Sequence, residues 1–138
     1  MESIEFAVKG LLIHQDKFLA VHRSDIASAK FELPGGRMNF GETAEETLKR
    51  EMLEEVGLYV TPRMLVDTWN YIMETRQITG IIYLCTAENC EAIKLSPEHD
   101  HYQWLPAGAA SSEKMNRLFG PQMRHWDWET LIKSAGGL

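Results

Sequence analysis

Three glutamates, Glu51, Glu54 and Glu55, stand at i, i+3 and i+4 in a run that reads as a helix. That spacing puts them side by side on one helix face. Like charges so placed repel, by roughly 0.2–0.5 kcal/mol per pair on an exposed helix. Glu54 and Glu55 also fall in the last turn, where the helix dipole favours cations. A divalent cation held there reverses both penalties. Mg²⁺ takes oxygen ligands and keeps several waters, so two or three carboxylates suffice when substrate phosphates complete the shell. Such an ion withdraws charge from a phosphoryl oxygen and acidifies a bound water. A further carboxylate can accept the water's proton.

The elements that must position these acids are legible around them. Thr43 to Val56 is the best helix candidate. Thr43 and Glu46 have capping-box spacing, and Glu45 and Glu46 suit the positive end of the dipole. Ala44, Leu48, Met52 and Val56 form an apolar stripe, and Gly57 suits a left-handed C-terminal cap. Ahead of the helix, Pro34-Gly35-Gly36 ends regular structure and permits positive φ. Strand candidates are Phe6–Ile13, Phe18–His22 after a turn at Gln15-Asp16-Lys17, Phe31–Leu33, Tyr59–Thr61, Met64–Tyr71, Ile78–Ala87 and Tyr102–Leu105. Ser24–Lys30 and Asn89–His101 read as loops. Met123–Ser134 reads as a C-terminal helix followed by Gly136-Gly137. Mixed strands and helices in this order imply an α/β or α+β sandwich, with a helix against each sheet face.

The whole chain sets limits. Its 138 residues fit one domain spanning 1–138. The net charge of −6 argues against a nucleic-acid polymer as partner, since that affinity comes from Lys and Arg. A small phosphorylated substrate stays open, because a metal held by acids presents positive charge on a negative protein. No apolar run is long enough to cross a bilayer, and the N-terminus lacks the pattern of a signal peptide. The expectation is a cytoplasmic protein with no membrane association. Cys85 and Cys90 are expected to be free thiols, with Cys85 buried, and no zinc-ligand set stands at the usual spacing.

The stretch 36–58 resembles the Nudix box, the signature of the Nudix hydrolases. Gly36, Glu42, Arg50, Glu51, Glu54, Glu55, Gly57 and Leu58 all fall in place. Met52 is the one soft departure, standing where Leu, Ile or Val is usual. Seven fixed positions match by chance about once in 10⁸ starting points. The resemblance implies the Nudix fold, a mixed β-sheet sandwiched between α-helices. It also implies a pyrophosphohydrolase that cleaves the diphosphate linkage of a nucleoside diphosphate derivative with Mg²⁺ or Mn²⁺. Carried over by position, Glu51, Glu54 and Glu55 are the metal-ligand acids. The carbonyl of Gly35 is a backbone ligand, and Glu42 an auxiliary or orienting carboxylate. Arg50 positions the acids. The water-activating base is Glu54 or Glu55, or Glu98 from a later acidic loop.

Other residues are read both ways. Arg23 is a phosphate or base contact, or a surface arginine, with Arg37 a weaker phosphate candidate. Trp69 and Tyr71 are base-stacking candidates, although strand aromatics are more often packing. Trp104, Trp126 and Trp128 are expected to anchor the C-terminal helix to the sheet. The substrate is of nucleoside-triphosphate or nucleotide-sugar type, and a homodimer is common among relatives. The rival reading is a non-catalytic nucleotide sensor on the same fold.

Overall fold

A computed structural model describes residues 1–136; Gly137, expected after the last helix, lies outside them. Six strands form the sheet: β1 (Ser3–His14), β2 (Lys17–Arg23), β3 (Gly35–Arg37), β4 (Val60–Ile72), β5 (Arg76–Ala87) and β6 (His99–Pro106). Among the described residues three helices accompany them: α1 (Ala44–Val56), α2 (Gly120–Met123) and α3 (Trp128–Ser134), with a 3₁₀ turn over Ala109–Lys114. The strand order is β4-β5-β1-β2-β6, with β3 also on β1. β1 and β5 run parallel and the other pairs antiparallel, so the sheet is mixed. β1 divides one edge between β3, at Ala7–Lys9, and β2, at Ile13–His14.

The sheet buries apolar side chains on both faces, and the period-2 alternation of β1 shows how. Val8 and Leu12 join Leu48, Met52 and Val56 of α1 on one face. Ala7, Leu11 and Ile13 join Phe119, Met123, Trp128 and Leu131 on the other. Gly10 faces α1, where a Cβ would come within 2.9 Å of Met52 Sδ, so its bareness lets the helix sit close to the sheet. This is the expected α+β layering.

Helix α1 forms as its sequence directs. Leu48, Met52 and Val56 are fully buried and Ala44 packs beside them. Thr43 accepts the Glu46 amide at 3.1 Å, and Glu46 reciprocates to the Thr43 amide at 2.9 Å. Gly57 closes the helix at φ 73°, its N–H donating to the Leu53 carbonyl. Thr43→Ala therefore costs about 1 kcal/mol of stability, read as a lower denaturation midpoint. A midpoint equal to wild type would deny the cap that role.

Several boundaries differ from the sequence reading, each for a physical reason. Phe31–Leu33 is not a strand; Glu32 makes a single bridge to Val21 and Phe31 one to Met115. The strand instead starts at Gly35, where regular structure was expected to stop. Gly35 pairs with Lys9 at φ 140°, and a Cβ there would lie 2.7 Å from Lys9 Cα, so glycine permits the pairing rather than ending it. The two segments around Pro62 are one strand, β4. It lies at the sheet edge and is bulged near Pro62, where a missing N–H is tolerated. β6 begins at His99 rather than Tyr102. The C-terminal helix is two pieces, because Asp127 caps a fresh start by accepting the Thr130 amide at 3.2 Å.

The aromatic anchors divide. Trp128 stacks on Phe18 at 5.5 Å, and Trp126 Nε1 donates to Asp67 of β4 at 2.7 Å. Both tie the C-terminal helices to the sheet. Trp104 does not, because it packs on the opposite face with the α1 cluster. Trp69 is core, tilted against Phe119, while Tyr71 is exposed. Cys85 and Cys90 are buried free thiols. Among the described residues, no helix is long and apolar enough to cross a membrane.

Candidate active site

The C-terminal half of α1 faces β3, and the box residues converge around Arg50. Its guanidinium donates to Glu42 Oε2 at 2.6 Å and Oε1 at 2.9 Å, a two-pronged grip. It also donates to Glu51 at 2.8 Å, to Glu54 at 3.2 Å and to the Arg37 carbonyl at 2.9 Å. One cation thus links the loop before the helix, strand β3 and two acids of the helix face. The Asn39 amide holds Glu42 further, at 2.8 Å. Arg50, and then Asn39, pull the Glu42 carboxyl down to about 2.

The three helix acids sit at different depths. The side chain of Glu54 is 58% exposed, Glu51 14% and Glu55 10%. Burial pushes the pKa of both Glu51 and Glu55 up, against the pull of nearby cations. Glu55 accepts the Gly35 amide at 3.1 Å, which ties the buried acid to the start of β3. Glu51 lies on Gly36, where a Cβ would come within 2.8 Å of its Oε1 and closer still to the rest of the carboxylate. The two glycines thus seat two of the acids.

A pH dependence follows from the buried pair. An acid whose pKa rises on folding contributes stability that is fully present below its unfolded value, here 4.5, and is lost as pH climbs through the raised value. Glu51→Gln removes that penalty. In chelator-treated protein, Glu51→Gln gains stability relative to wild type between about pH 4 and about pH 7. Chemical denaturation at the two pH values checks this; an unchanged difference contradicts it.

Behind Glu55 lies a buried polar group absent from the sequence reading. Lys9 and Glu32 are both nearly covered, with Lys9 Nζ 3.9 Å from Glu32 Oε2 and 5.4 Å from the centre of the Trp69 ring. His99 Nε2 lies 3.2 Å from the same Glu32 oxygen, and its Nδ1 faces Glu55 at 4.0 Å. Burial pushes the Glu32 carboxyl up, but Lys9 and His99 hold it below its ordinary value overall. The available signal was a lysine inside the apolar run Phe6–Ile13 and a glutamate between Phe31 and Leu33. The partners come from four separate segments, so spacing could not join them.

The outlying candidates are placed as follows. Arg23 ends β2 and makes a two-pronged pair with Asp25, both bonds 3.0 Å. Arg37 pairs with Glu5 at 2.7 Å, while its carbonyl meets Arg50. Glu98 is exposed on the loop before β6. That loop is pinned to the end of β2, since the Glu98 carbonyl accepts the Ser24 amide at 2.9 Å.

As a donor set, Glu51, Glu54 and Glu55 offer only hard carboxylate oxygens. Among their own hydrogen bonds one side-chain cation, Arg50, serves two of them, and two of the three are largely desolvated. That chemistry fits a hard divalent cation such as Mg²⁺ or Mn²⁺.

Residues 5–126 match the model of the NUDIX domain. A MutT-like protein of Streptomyces ambofaciens is 30% identical over 141 residues, covering 94% of this chain and 88% of that protein. The 8-oxo-dGTP diphosphatase of Escherichia coli K12 is 29% identical over 108 residues, covering 76% of this chain and 81% of that one. The crystal structure of a MutT protein from Methanosarcina mazei superposes with a TM-score of 0.79 at 24% identity, over 94% of this chain and 96% of that one. A family match over most of the chain thus joins the box geometry and the mixed sheet, and the chain belongs to the Nudix hydrolase family.

Proposed function

We propose that residues 1–138 form a single Nudix domain that hydrolyses the diphosphate linkage of a nucleoside diphosphate derivative, with Mg²⁺ or Mn²⁺ as cofactor. The observation that carries this is the convergence of Glu51, Glu54 and Glu55 on one helix face beside Gly35, with Arg50 bracing them. The substrate class is a nucleoside triphosphate or a nucleotide sugar. A relative that is an 8-oxo-dGTP diphosphatase supports the triphosphate type.

Glu51, Glu54, Glu55 and the Gly35 carbonyl would hold the ion, with Glu42 fixing Arg50 behind them. When bound, the ion supplies charge withdrawal at the phosphoryl oxygens and a more acidic water. The protein's own part is positioning. Arg50 keeps Glu51 and Glu54 in register, and the Gly35 amide keeps Glu55 in place. Water adds to a phosphorus, the bond to the bridging oxygen breaks, and two phosphate-bearing products leave. Glu54 is the first choice to accept the water's proton because it is the most exposed of the three acids. Glu55 and Glu98 are the alternatives. Arg23 and Arg37 are the cations available to substrate phosphates, each held now in an exposed ion pair of small energetic worth.

A panel of nucleoside triphosphates, nucleotide sugars and dinucleoside polyphosphates, with Mg²⁺ and with Mn²⁺, tests the proposal. Phosphate, pyrophosphate and nucleotide products are scored. The expected result is metal-dependent release of a nucleoside monophosphate from at least one compound. Tight nucleotide binding without turnover of any compound favours the sensor instead.

A further inference from the structure

Outside the box, His22, Asp100 and His101 bring three ligand atoms within 4.8 Å of one another. A bulge makes this possible. His22 pairs with His101 and Arg23 with His99, so Asp100 is the extra residue on β6. Two consecutive side chains of β6 therefore meet the same residue of β2, where a regular strand would send them to opposite faces. The two imidazoles stack at 4.6 Å across the strands, and Phe31 closes over them edge-on.

The proton positions make the cluster more than a surface ion pair. His22 is nine-tenths buried, and its Nε2 lies 2.6 Å from the Ser28 carbonyl. A carbonyl only accepts, so Nε2 carries the proton. In the neutral ring Nδ1 is then a bare lone pair, and it faces Asp100 Oδ1 at 2.8 Å. Two acceptors at that distance require a cation between them, either a second proton on the ring or a metal ion. His101 Nδ1 approaches the same oxygen at 2.5 Å and supplies a third ligand atom. A backbone carbonyl that fixes the distal N–H of a buried histidine is the usual outer support of a metal-bound imidazole.

We propose that His22 Nδ1, Asp100 and His101 Nδ1 form a second cation site, selective for a zinc-type ion and distinct from the acids of α1. Two nitrogens and one carboxylate suit Zn²⁺ and Co²⁺, whereas Mg²⁺ prefers oxygen alone. Bond lengths of about 2.0–2.1 Å require ligand atoms roughly 3.3 Å apart, a little wider than the 2.8 and 2.5 Å approaches of the two histidines to Asp100. A fourth position stays open on the solvent side, because Asp100 and His101 are about half exposed. Occupation ties the end of β2 to the start of β6. Those strands flank the Ser24–Glu98 contact, so the ion braces the loop that carries Glu98 and the segment that carries Arg23.

The test is a Co²⁺ titration of the full chain in excess Mg²⁺, followed by visible absorption. Four-coordinate Co²⁺ with imidazole ligands absorbs far more strongly than six-coordinate Co²⁺ held by oxygens. One equivalent is expected to give the strong bands, in wild type and equally in Glu54→Gln. In His101→Ala and in Asp100→Asn, both exposed positions where folding is safe, binding weakens by about tenfold or more. Even changes one shell further out weaken metal sites by about 10–100-fold. Absence of the strong bands, their survival in His101→Ala, or their loss in Glu54→Gln alone overturns the proposal.

Discussion

Glu54→Gln is expected to lower turnover by about 100- to 10,000-fold, the span usual for loss of a positioned proton acceptor. The fold is expected to survive. Glu54 is the most exposed of the three helix acids, and its one side-chain bond is to Arg50 at 3.2 Å. Glutamine has nearly the same helix propensity, so α1 loses little. Removing one of three neighbouring like charges also relieves repulsion on that face. Activity and stability therefore part company in this variant. Product release under saturating substrate, beside a thermal melt, checks both. Unchanged turnover removes Glu54 from the mechanism and passes the role of base to Glu55 or Glu98.

The second large effect is a contrast between adjacent glycines. A Cβ at Gly36 overlaps the carboxylate of Glu51, the far end of a flexible side chain. Gly36→Ala should fold, with Glu51 displaced from its seat. A misplacement of about 1 Å in a catalytic constellation costs about 100-fold in rate. A Cβ at Gly35 instead meets the backbone of Val8 and Lys9, at a φ of 140° that L side chains rarely adopt. Gly35→Ala strains the chain by about 1–3 kcal/mol before the overlap is counted, and peels β3 from β1. The expected pattern is lost activity with a near-normal melt for Gly36→Ala, and a clearly lowered melt for Gly35→Ala. Equal melts for the two variants would show that the glycines do not seat the acids separately.

The sequence revealed the box and α1 well because their physics is local. Capping, dipole complementarity and a four-residue apolar stripe act within one helix, and each leaves its mark at fixed spacing. The helix runs from the capping Thr43 to the closing Gly57 as that pattern implies. The structure departs from the sequence pattern where partners are distant. Gly35-Gly36 looks like a stop, yet β1 supplies the edge on which those residues become β3. Pro62 looks like a break, and is harmless because β4 lies at the sheet edge. Trp104 lies on the α1 face rather than with the C-terminal helices, because a one-residue choice of register decides which face a strand side chain takes. Lys9, Glu32 and His99 are not marked as a group by any spacing, for a related cause. Lys9 and Glu32 are lone polar residues in apolar runs, His99 stands in a charged loop, and only the fold brings them to Glu55.

The proposed chemistry requires the helix acids to be a cation site rather than a solvated acidic face. A Mn²⁺ titration followed by electron paramagnetic resonance of the free ion tests this most directly. Wild type should take up Mn²⁺ in competition with Mg²⁺. Glu51→Gln and Glu54→Gln should each weaken that uptake by about tenfold or more, while His101→Ala leaves the Mg²⁺-competed fraction unchanged. Mn²⁺ uptake equal to wild type in both glutamate variants would contradict a cation site on α1.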